Sequence, residues 1–541
     1  MTRYYLRGLS LSPLLAGLGA LMSSGCTGCS GTSGMTVSED RPNVVFILAD
    51  DLGYFDLSWR YTPDFLRYSK GMIDTPNIDA LAQNGIVFTR HYSGCSVSAP
   101  ARASLLTGLH TGHTPVRGNL EYFGRDEYGS PFESDGRGEG QQPIPADTDQ
   151  ILKFLKDNGY RTGVYGKWGL GYPGSSGSPE YQGVDEFYGY NCQRQAHYYY
   201  PSHLWSSVGT ESARVEFPEN AIRIEDYFDE SKDLTGVLSG TDDGKGTYVP
   251  YVIHDKALDF IRGNADRPFF LWYTTPLPHA ELQVPNSRLQ KAIEKCRKNG
   301  WNQGTPGGSK DGALQGGYAW QEYPTAAYIA MVEILDEQVG EIIAVLKELG
   351  IYDNTIVVFA SDNGAHSEGG HNPDIFGSRG PMRGDKRSLY DGGIRVPFIV
   401  QWPDKVEPGS VTDHISSFYD FYATMADIID VDITEKHKDG ISYLPALTGK
   451  GSQKQHSYLY WEFHYDGGKG PWSVALRSGD WKVVRDNFRE ADYMDHLELY
   501  DISEGIEPVD KSAVNPEKLE ELKTLMSGIR EVSPAFPFPA D

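Results

Sequence analysis

The sequence predicts an α/β chain in which strands buried on both faces form a sheet sandwiched by helices, followed by a smaller α+β unit. Three observations carry that prediction. Residues 43–49, 268–273 and 355–360 are continuous apolar runs of strand length, the pattern of strands covered on both faces. Residues 326–349 place apolar side chains at i, i+3 and i+4 and run almost directly into Thr355, a helix-strand unit of a doubly wound sheet. Beyond Gly440 the pattern changes to alternation. Residues 458–463, 473–477 and 481–485 read as antiparallel strands, 497–501 as a short extended segment and 516–528 as a closing helix.

A chain of 541 residues is too long for one ordinary core, so the expected division is a large domain over 41–440 and a C-terminal subdomain over 441–541. With 39% hydrophobic and 23% charged residues it reads as soluble and globular. A formal net charge of -25 excludes nucleic acid and anionic membrane surfaces as partners. An anionic substrate must then be met by locally placed Lys, Arg and His.

The amino terminus reads as an export signal over 1–25. Arg3 and Arg7 form a basic start, and 9–22 is an apolar run too short to span a bilayer. It ends in Ser23-Ser24-Gly25-Cys26, which resembles a bacterial lipoprotein cleavage site, so Cys26 is the expected lipidation position and 26–40 a polar tether. The expected location is the periplasm or the bacterial cell surface, with membrane contact only through that lipid. The five cysteines (Cys26, Cys29, Cys95, Cys192, Cys296) show no zinc spacing and no disulfide framework, and Cys95 reads as a buried thiol.

Taken in order, the strand at 43–49 ends in Asp50-Asp51, at the edge where open α/β sheets place their ligands. A short helix at 77–84 and a strand at 86–89 deliver the chain to Cys95-Ser96-Val97-Ser98-Ala99-Pro100-Ala101-Arg102. There Ser98 reads as a helix N-cap, with Pro100 in the first turn and Arg102 one turn on. Such a helix start favours an anion, or a nucleophile that attacks one. A helix over 148–158 leads to Thr162-Gly163-Val164-Tyr165-Gly166-Lys167-Trp168-Gly169. Residues 182–205 are dense in aromatics interspersed with Arg194, His197 and glutamines. They offer flat faces for sugar rings and donors for hydroxyls; the alternative is an aromatic-rich core loop.

The strand at 268–273 leads to Pro276-Leu277-Pro278-His279, and 291–308 reads as a basic helix with a Gly-rich loop, a solvated surface insertion. The strand at 355–360 ends in Ser361-Asp362-Asn363-Gly364 and repeats the arrangement at Asp50-Asp51. Three carboxylates and one amide oxygen favour Ca2+ or Mg2+ over zinc. A segment over 383–397 containing Lys386, a strand at 396–402 and a helix at 415–429 complete the large domain. In Trp461-Glu462-Phe463-His464, Glu462 and His464 either line a glycan cleft or belong to a packed strand.

From Arg41 to about Arg530, six of these segments resemble, in unbroken order, those of the type I sulfatases. Ser98 alone fits the signature [Ser/Cys]-x-Pro-x-Arg with Leu106-Thr107-Gly108 downstream. The resemblance implies an alkaline-phosphatase-like fold and hydrolysis of sulfate esters. It also implies that a serine-type maturing enzyme oxidises Ser98 to formylglycine (3-oxoalanine), whose hydrate is the nucleophile. Asp50, Asp51, Asp362 and Asn363, with Ser98, would hold one Ca2+. Arg102 would hold the hydrated aldehyde, Lys167 and Lys386 would bind sulfate, and His279 would bind sulfate and protonate the leaving oxygen.

Gly169 stands where that family usually has His. The 182–205 segment resembles glycan sulfatases acting on galactose-type sugars, which implies Arg194 and His197 as substrate contacts. The implied substrate is an O-sulfated galactose or N-acetylgalactosamine of a host or algal glycan. Two rival readings are a phosphomonoester or phosphonate hydrolase of the same fold and a surface glycan-binding protein that has lost catalysis.

Overall fold

The computed structural model describes residues 41–59, 67–121, 140–220, 246–307, 318, 320–436, 438–465, 470–539 and 541. The expected export signal, the tether and Cys26 lie outside the described residues. The strands are β1 (Asn43–Ala49), β2 (Ile86–Phe88), β3 (His91–Tyr92), β4 (Arg161–Lys167), β5 (Glu186–Tyr190), β6 (His203–Val208), β7 (Glu211–Glu216), β8 (Phe269–Thr274), β9 (Thr355–Ser361), β10 (Phe398–Gln401), β11 (Ser410–Thr412), β12 (Ser416–Ser417), β13 (Leu459–His464), β14 (Trp472–Ser478), β15 (Trp481–Phe488) and β16 (Glu498–Asp501).

A strand can be apolar throughout only if both of its faces are covered. β1 meets that condition: Val45, Ile47 and Ala49 enter one hydrophobic layer, and Val44, Phe46 and Leu48 enter the other. β8 and β9 divide in the same way, Leu271 and Phe359 to the first layer, Trp272 and Val358 to the second. The main sheet has the order β11-β2-β10-β9-β1-β8-β4-β5-β6-β7. Its centre, β9-β1-β8-β4-β5, is parallel, while β10 runs antiparallel to β9, and β6 and β7 form an antiparallel margin.

Helices α1 (Pro76–Gln83), α2 (Ser98–Thr107), α3 (Ile151–Asp157), α4 (Val249–Gly263), α5 (Asn286–Asn299), α6 (Pro324–Glu348), α7 (Asp420–Ile428) and α8 (Pro516–Met526) complete the frame. The first layer takes α1, α4, α5 and α6, and the second takes α2, α3 and α7. Two expectations are corrected. The basic helix begins at Asn286, not 291, and buries Leu289, Ala292 and Cys296, so it belongs to the packed helical layer and is not a solvated insertion. The helix expected from 415 begins at Asp420, because Ser416–Ser417 pair with β3 and the Asp420 carboxylate accepts from the Ser417 N–H at 2.8 Å.

The C-terminal sheet, β13-β14-β15-β16, is antiparallel throughout. Its alternation assigns Leu459, Trp461, Phe463, Ala475, Val484 and Tyr500 to the second layer of the large domain. Tyr460, Val474, Leu476, Val483 and Leu499 face the other way, onto Leu522 and Met526 of α8. The subdomain therefore shares a core with the main sheet.

The tail beyond α8 is tied back by His113. Its Nδ1 lies 2.9 Å from Asp439 Oδ2, and its Nε2 lies 2.8 Å from the Ile529 carbonyl oxygen. Two acceptors on one ring call for the imidazolium. Burial acts to lower the His113 pKa, but the Asp439 hydrogen bond and charge outweigh it and raise the value above 6.5; neighbouring His110 is pushed down to about 4 by burial. A folded value above the unfolded one adds stability that is complete below pH 6.5 and is lost as pH rises through the folded value. The wild type should therefore exceed His113→Asn in stability by about 1 kcal/mol or less in mildly acidic buffer, a magnitude limited by solvent screening. That margin should shrink towards alkaline pH in paired thermal melts, and a pH-independent margin would contradict the imidazolium.

Candidate active site

The carboxyl ends of β9, β1, β8 and β4 meet at one edge of the sheet, and each is followed by residues singled out from the sequence. Ala49 is in register with Ser361, so Asp50-Asp51 and Asp362-Asn363 leave adjacent strands side by side. The Asp362 N–H donates to the Ala49 carbonyl at 2.9 Å and the Asp50 N–H to the Leu277 carbonyl at 3.0 Å, which fixes the loops to one another. Because β10 is antiparallel to β9, the loop before it, with Lys386, arrives at the same edge. α2 presents its amino terminus there. Asp51 has φ 64°, a left-handed backbone uncommon for a residue with a side chain and frequent at functional sites.

Ser98 lies between opposite charges. Its Oγ donates to Asp50 Oδ1 at 3.1 Å and accepts from Lys167 Nζ at 3.2 Å, and the same ammonium donates to Asp50 Oδ2 at 2.6 Å. The expectation that Ser98 caps α2 is corrected. The helix starts at Ser98, and the Ala99 N–H donates to Asn119 Oδ1 at 2.9 Å, which leaves the Ser98 hydroxyl for the carboxylate. One turn on, the fully buried Arg102 donates from Nη2 to Asp362 Oδ2 at 2.9 Å and also reaches the Lys167 carbonyl. Asp51 Oδ2 accepts from Lys386 Nζ at 2.8 Å, and Lys386 Nζ also lies 2.8 Å from His279 Nε2. His279 Nδ1 is anchored on the Ala280 carbonyl.

Burial and neighbouring charge set the ionisation here. Burial, reinforced by Asp50, pushes the Asp362 carboxyl up against the pull of Arg102 and Lys167. Burial acts to lower Lys386, but Asp51 and Glu368 outweigh it and hold the ammonium above its usual range. His279 and His197 are both pushed well below 6.5, first by burial and then by the lysines beside them.

The donor chemistry fits a hard divalent cation. Asn363 Nδ2 is committed to Asp51 Oδ1 at 2.7 Å and to the Gly364 carbonyl at 2.9 Å, while its Oδ1 is buried with no hydrogen-bond partner. A buried amide oxygen left unpaired beside three carboxylates is a ligand atom in waiting. One ligating atom from each of Asp50, Asp51 and His279 also lies within 4.8 Å of the others.

The structure brings Asp50, Asp51, Ser98, Arg102, Lys167, His279, Asp362, Asn363 and Lys386 together. His197 joins them, its ring stacked on His279 at 4.7 Å and 15°. Arg194 lies one turn before His197, ion-paired with Glu121 at 2.9 Å. Glu462 and His464 are corrected: both are buried in a packed strand. Glu462 is paired with Arg117 at 2.9 Å and Arg530 at 3.1 Å, and His464 stacks on Phe538.

Sequence reasoning missed Glu368. Its Oε2 accepts from Lys386 Nζ at 2.8 Å, and Oε1 pairs with Arg387. Burial acts to raise it, but Lys386, His279 and Arg387 hold it well below the usual carboxylate range. Its position in the loop just after Asp362-Asn363 was the available signal.

Comparison with known proteins follows this geometry. Residues 42–431 match the Sulfatase family, and residues 383–533 match the family described as N-sulphoglucosamine sulphohydrolase, C-terminal. The chain is 27% identical over 580 residues to an N-acetylgalactosamine-6-O-sulfatase of Bacteroides thetaiotaomicron, covering 96% of this chain and 98% of that protein. It is 29% identical over 427 residues to human N-acetylgalactosamine-6-sulfatase, covering 76% and 67%. The crystal structure of Ps i-CgsB in complex with k-i-k-neocarrahexaose superposes with a TM-score of 0.65 at 26% identity, covering 90% of this chain and 92% of that one.

Asp362→Asn keeps one acceptor oxygen, which can face Arg102 while the amide NH2 replaces the oxygen that meets the Asp51 N–H, and it removes a ligand charge. The variant should fold, lose turnover, and lose the rise in melting temperature that added Ca2+ or Mg2+ gives the wild type. Asp362→Ala should in addition destabilise by about 3 kcal/mol, because it removes the nearest counter-charge of the buried Arg102 and leaves it the Lys167 carbonyl and the more distant Asp50. Equal cation-dependent melting shifts in wild type and Asp362→Asn would remove Asp362 from the ligand set.

Proposed function

Because the chain belongs to the sulfatase family and is a sulfuric ester hydrolase, we propose that it removes O-sulfate from galactose or N-acetylgalactosamine residues of host or algal glycans. In this reading it uses a formylglycine made from Ser98 by a serine-type maturing enzyme and one bound calcium. The observation that carries the reading is the Ser98 hydroxyl, held between Asp50 and Lys167, with Arg102 paired to Asp362 on one side and Lys386 and His279 grouped at Asp51 on the other strand end. Among hard cations, carboxylate and amide oxygens on loops favour calcium, which tolerates irregular geometry, over magnesium. When present, formylglycine supplies an aldehyde hydrate that attacks sulfur, and calcium supplies positive charge to the sulfate oxygens.

The chain's own residues do the rest. Lys167, beside Asp50 and Ser98, and Lys386, beside Asp51 and His279, neutralise sulfate oxygens, a preorganised stabilisation that water could not match. Arg102 fixes the Asp362 carboxylate and the end of β4, and so aligns the ligands with Ser98. His279, anchored through Nδ1, turns Nε2 towards Lys386, which makes Nε2 the atom through which a proton reaches the leaving sugar oxygen. Arg194, one turn before His197, supplies a directional donor for sugar hydroxyls. The names of the N-acetylgalactosamine-6-sulfatases similar to this chain support that sugar and make the 6-position the first to assay. Arg3, Arg7, the apolar run at 9–22 and Cys26 support export to the periplasm or cell surface with a lipid anchor.

Two measurements test this reading. The tryptic peptide containing Ser98, from protein made in its own host, should carry an aldehyde, and unoxidised serine there would sink the proposal. On a panel of sulfated sugars and a small aryl sulfate, N-acetylgalactosamine 6-sulfate should be preferred over glucosamine 6-sulfate. Arg194→Ala should lower kcat/KM on the preferred sugar by about tenfold or more, equivalent to ~1.4 kcal/mol, with little loss on the aryl sulfate. His197→Ala should impair both substrates, because its ring supports His279.

A further inference from the structure

Two residues beyond Lys167 the chain reaches Gly169, with φ +78°, where a Cβ would lie 1.8 Å from Gln193 Nε2 and 2.6 Å from its Cδ. The Gln193 carboxamide thus fills the volume that any side chain at 169 would need. The backbone places it there. Past the ends of β4 and β5, the Trp168 N–H donates to the Tyr190 carbonyl at 2.9 Å and the Gly169 N–H to the Asn191 carbonyl at 3.0 Å, so the two exits continue side by side. The Gln193 N–H is held by Gln141 Oε1 at 3.2 Å.

The carboxamide itself is unused. Gln193 is 2% exposed, and both its Oε1 and Nε2 are buried without a hydrogen-bond partner among the described residues. Folded chains rarely leave both ends of a buried amide unpaired, because each lost hydrogen bond to water goes uncompensated. Its neighbours along the chain reach the reacting groups: Gly169, against which it packs, is two residues past Lys167, whose Nζ is 3.2 Å from Ser98 Oγ, and His197, four residues past Gln193, stacks on His279.

We propose that Gln193 is a further catalytic residue of the sulfate-ester reaction, one that contacts the reacting groups, and that Gly169 exists to admit it. Its Nε2 donates towards the sulfate held over Ser98, and its Oε1 accepts a hydroxyl of the nucleophile. The inference rests on the sulfatase reading of Ser98. A carboxamide neither gives nor takes a proton in the working pH range, so this position orients the reactants and contributes no titrating group.

The experiment uses full-length chain matured at Ser98, verified by mass. Gln193→Ala should lower kcat by roughly 10²-fold, the loss typical of one preorganised donor, with KM and both limbs of the pH profile little changed. Gln193→Glu keeps the shape and decides the matter if the alanine variant melts early. A mere space-filler predicts wild-type kcat for it, whereas a donor to an anion predicts a comparable loss and a new pH-dependent limb. Gly169→Ala should be severely impaired alone and should regain part of its stability in the Gly169→Ala/Gln193→Ala background, where the clash is gone and only the strain of a Cβ at φ +78° remains. Wild-type kcat in Gln193→Glu, or within threefold of it in a folded Gln193→Ala, would overturn the proposal. A wild-type chain bearing formylglycine that hydrolyses no sulfate ester would instead overturn the sulfatase reading beneath it.

Discussion

The structure depends on burying opposite charges together at one edge of a parallel sheet. Asp50, Asp51 and Asp362 are essentially inaccessible to water, and so are Arg102 and Lys167. A lone buried carboxylate or ammonium would cost several kcal/mol, and its partners offset that only with good geometry on both sides. The geometry comes from the strands. Registry between β1 and β9 places Asp50-Asp51 and Asp362-Asn363 side by side, β4 brings Lys167 to within 2.6 Å of Asp50, and α2, one turn past Ser98, carries Arg102 to Asp362. The arrangement holds together only when every element is in place, so the site reports on the whole fold.

The C-terminal sheet extends this constraint to Lys386, a site cation carried by a loop and not by a parallel strand or by α2. Lys386 comes from a loop before β10, and that loop is held from behind. Leu389 N–H donates to Asp486 Oδ1 at 3.1 Å, Arg383 pairs with Glu498 at 2.9 Å, and Asp391 with the buried Lys482 at 2.8 Å. Lys482 also donates to Glu507 at 2.6 Å, whose carboxyl is pushed up to about 7 by burial. Three of the four residues holding the loop lie on β15 and β16, so the subdomain's contribution to function is to fix the position of one ammonium group.

The parts of this arrangement that were legible in the sequence are those set by local pattern. Continuous apolar runs identified β1, β8 and β9 because double burial leaves no polar face, and the acidic residues just after two of those runs followed from where such sheets bind ligands. What escaped depends on distant partners. Ser98 read as an N-cap, yet Asn119 supplies the cap from another segment. Residues 415–419 read as helix by composition, but pairing of β12 with β3 took precedence. Glu462 and His464 looked equally suited to a cleft, and only the positions of Arg117, Arg530 and Phe538 decide for the core. Glu368 and Gln193 gave no periodic signal, because their roles arise from neighbours far along the chain.

Charge balance explains how so acidic a protein can receive an anionic ester. The formal total is -25, which repels anions at long range. Within the site, however, Asp50, Asp51, Asp362 and Glu368 face Arg102, Lys167, Lys386 and Arg387, so the protein groups sum to zero locally. A hard divalent cation on the carboxylates would make that sum positive. It would also draw Asp50 and Asp51 away from Lys167 and Lys386, freeing both ammonium groups to turn towards sulfate oxygens. The ion pairs seen between these lysines and carboxylates keep the buried charges compensated as the protein stands. If both ligands, cation and sulfate, bind there, each would release charge that the other needs, a coupling that would follow from the shared pairs.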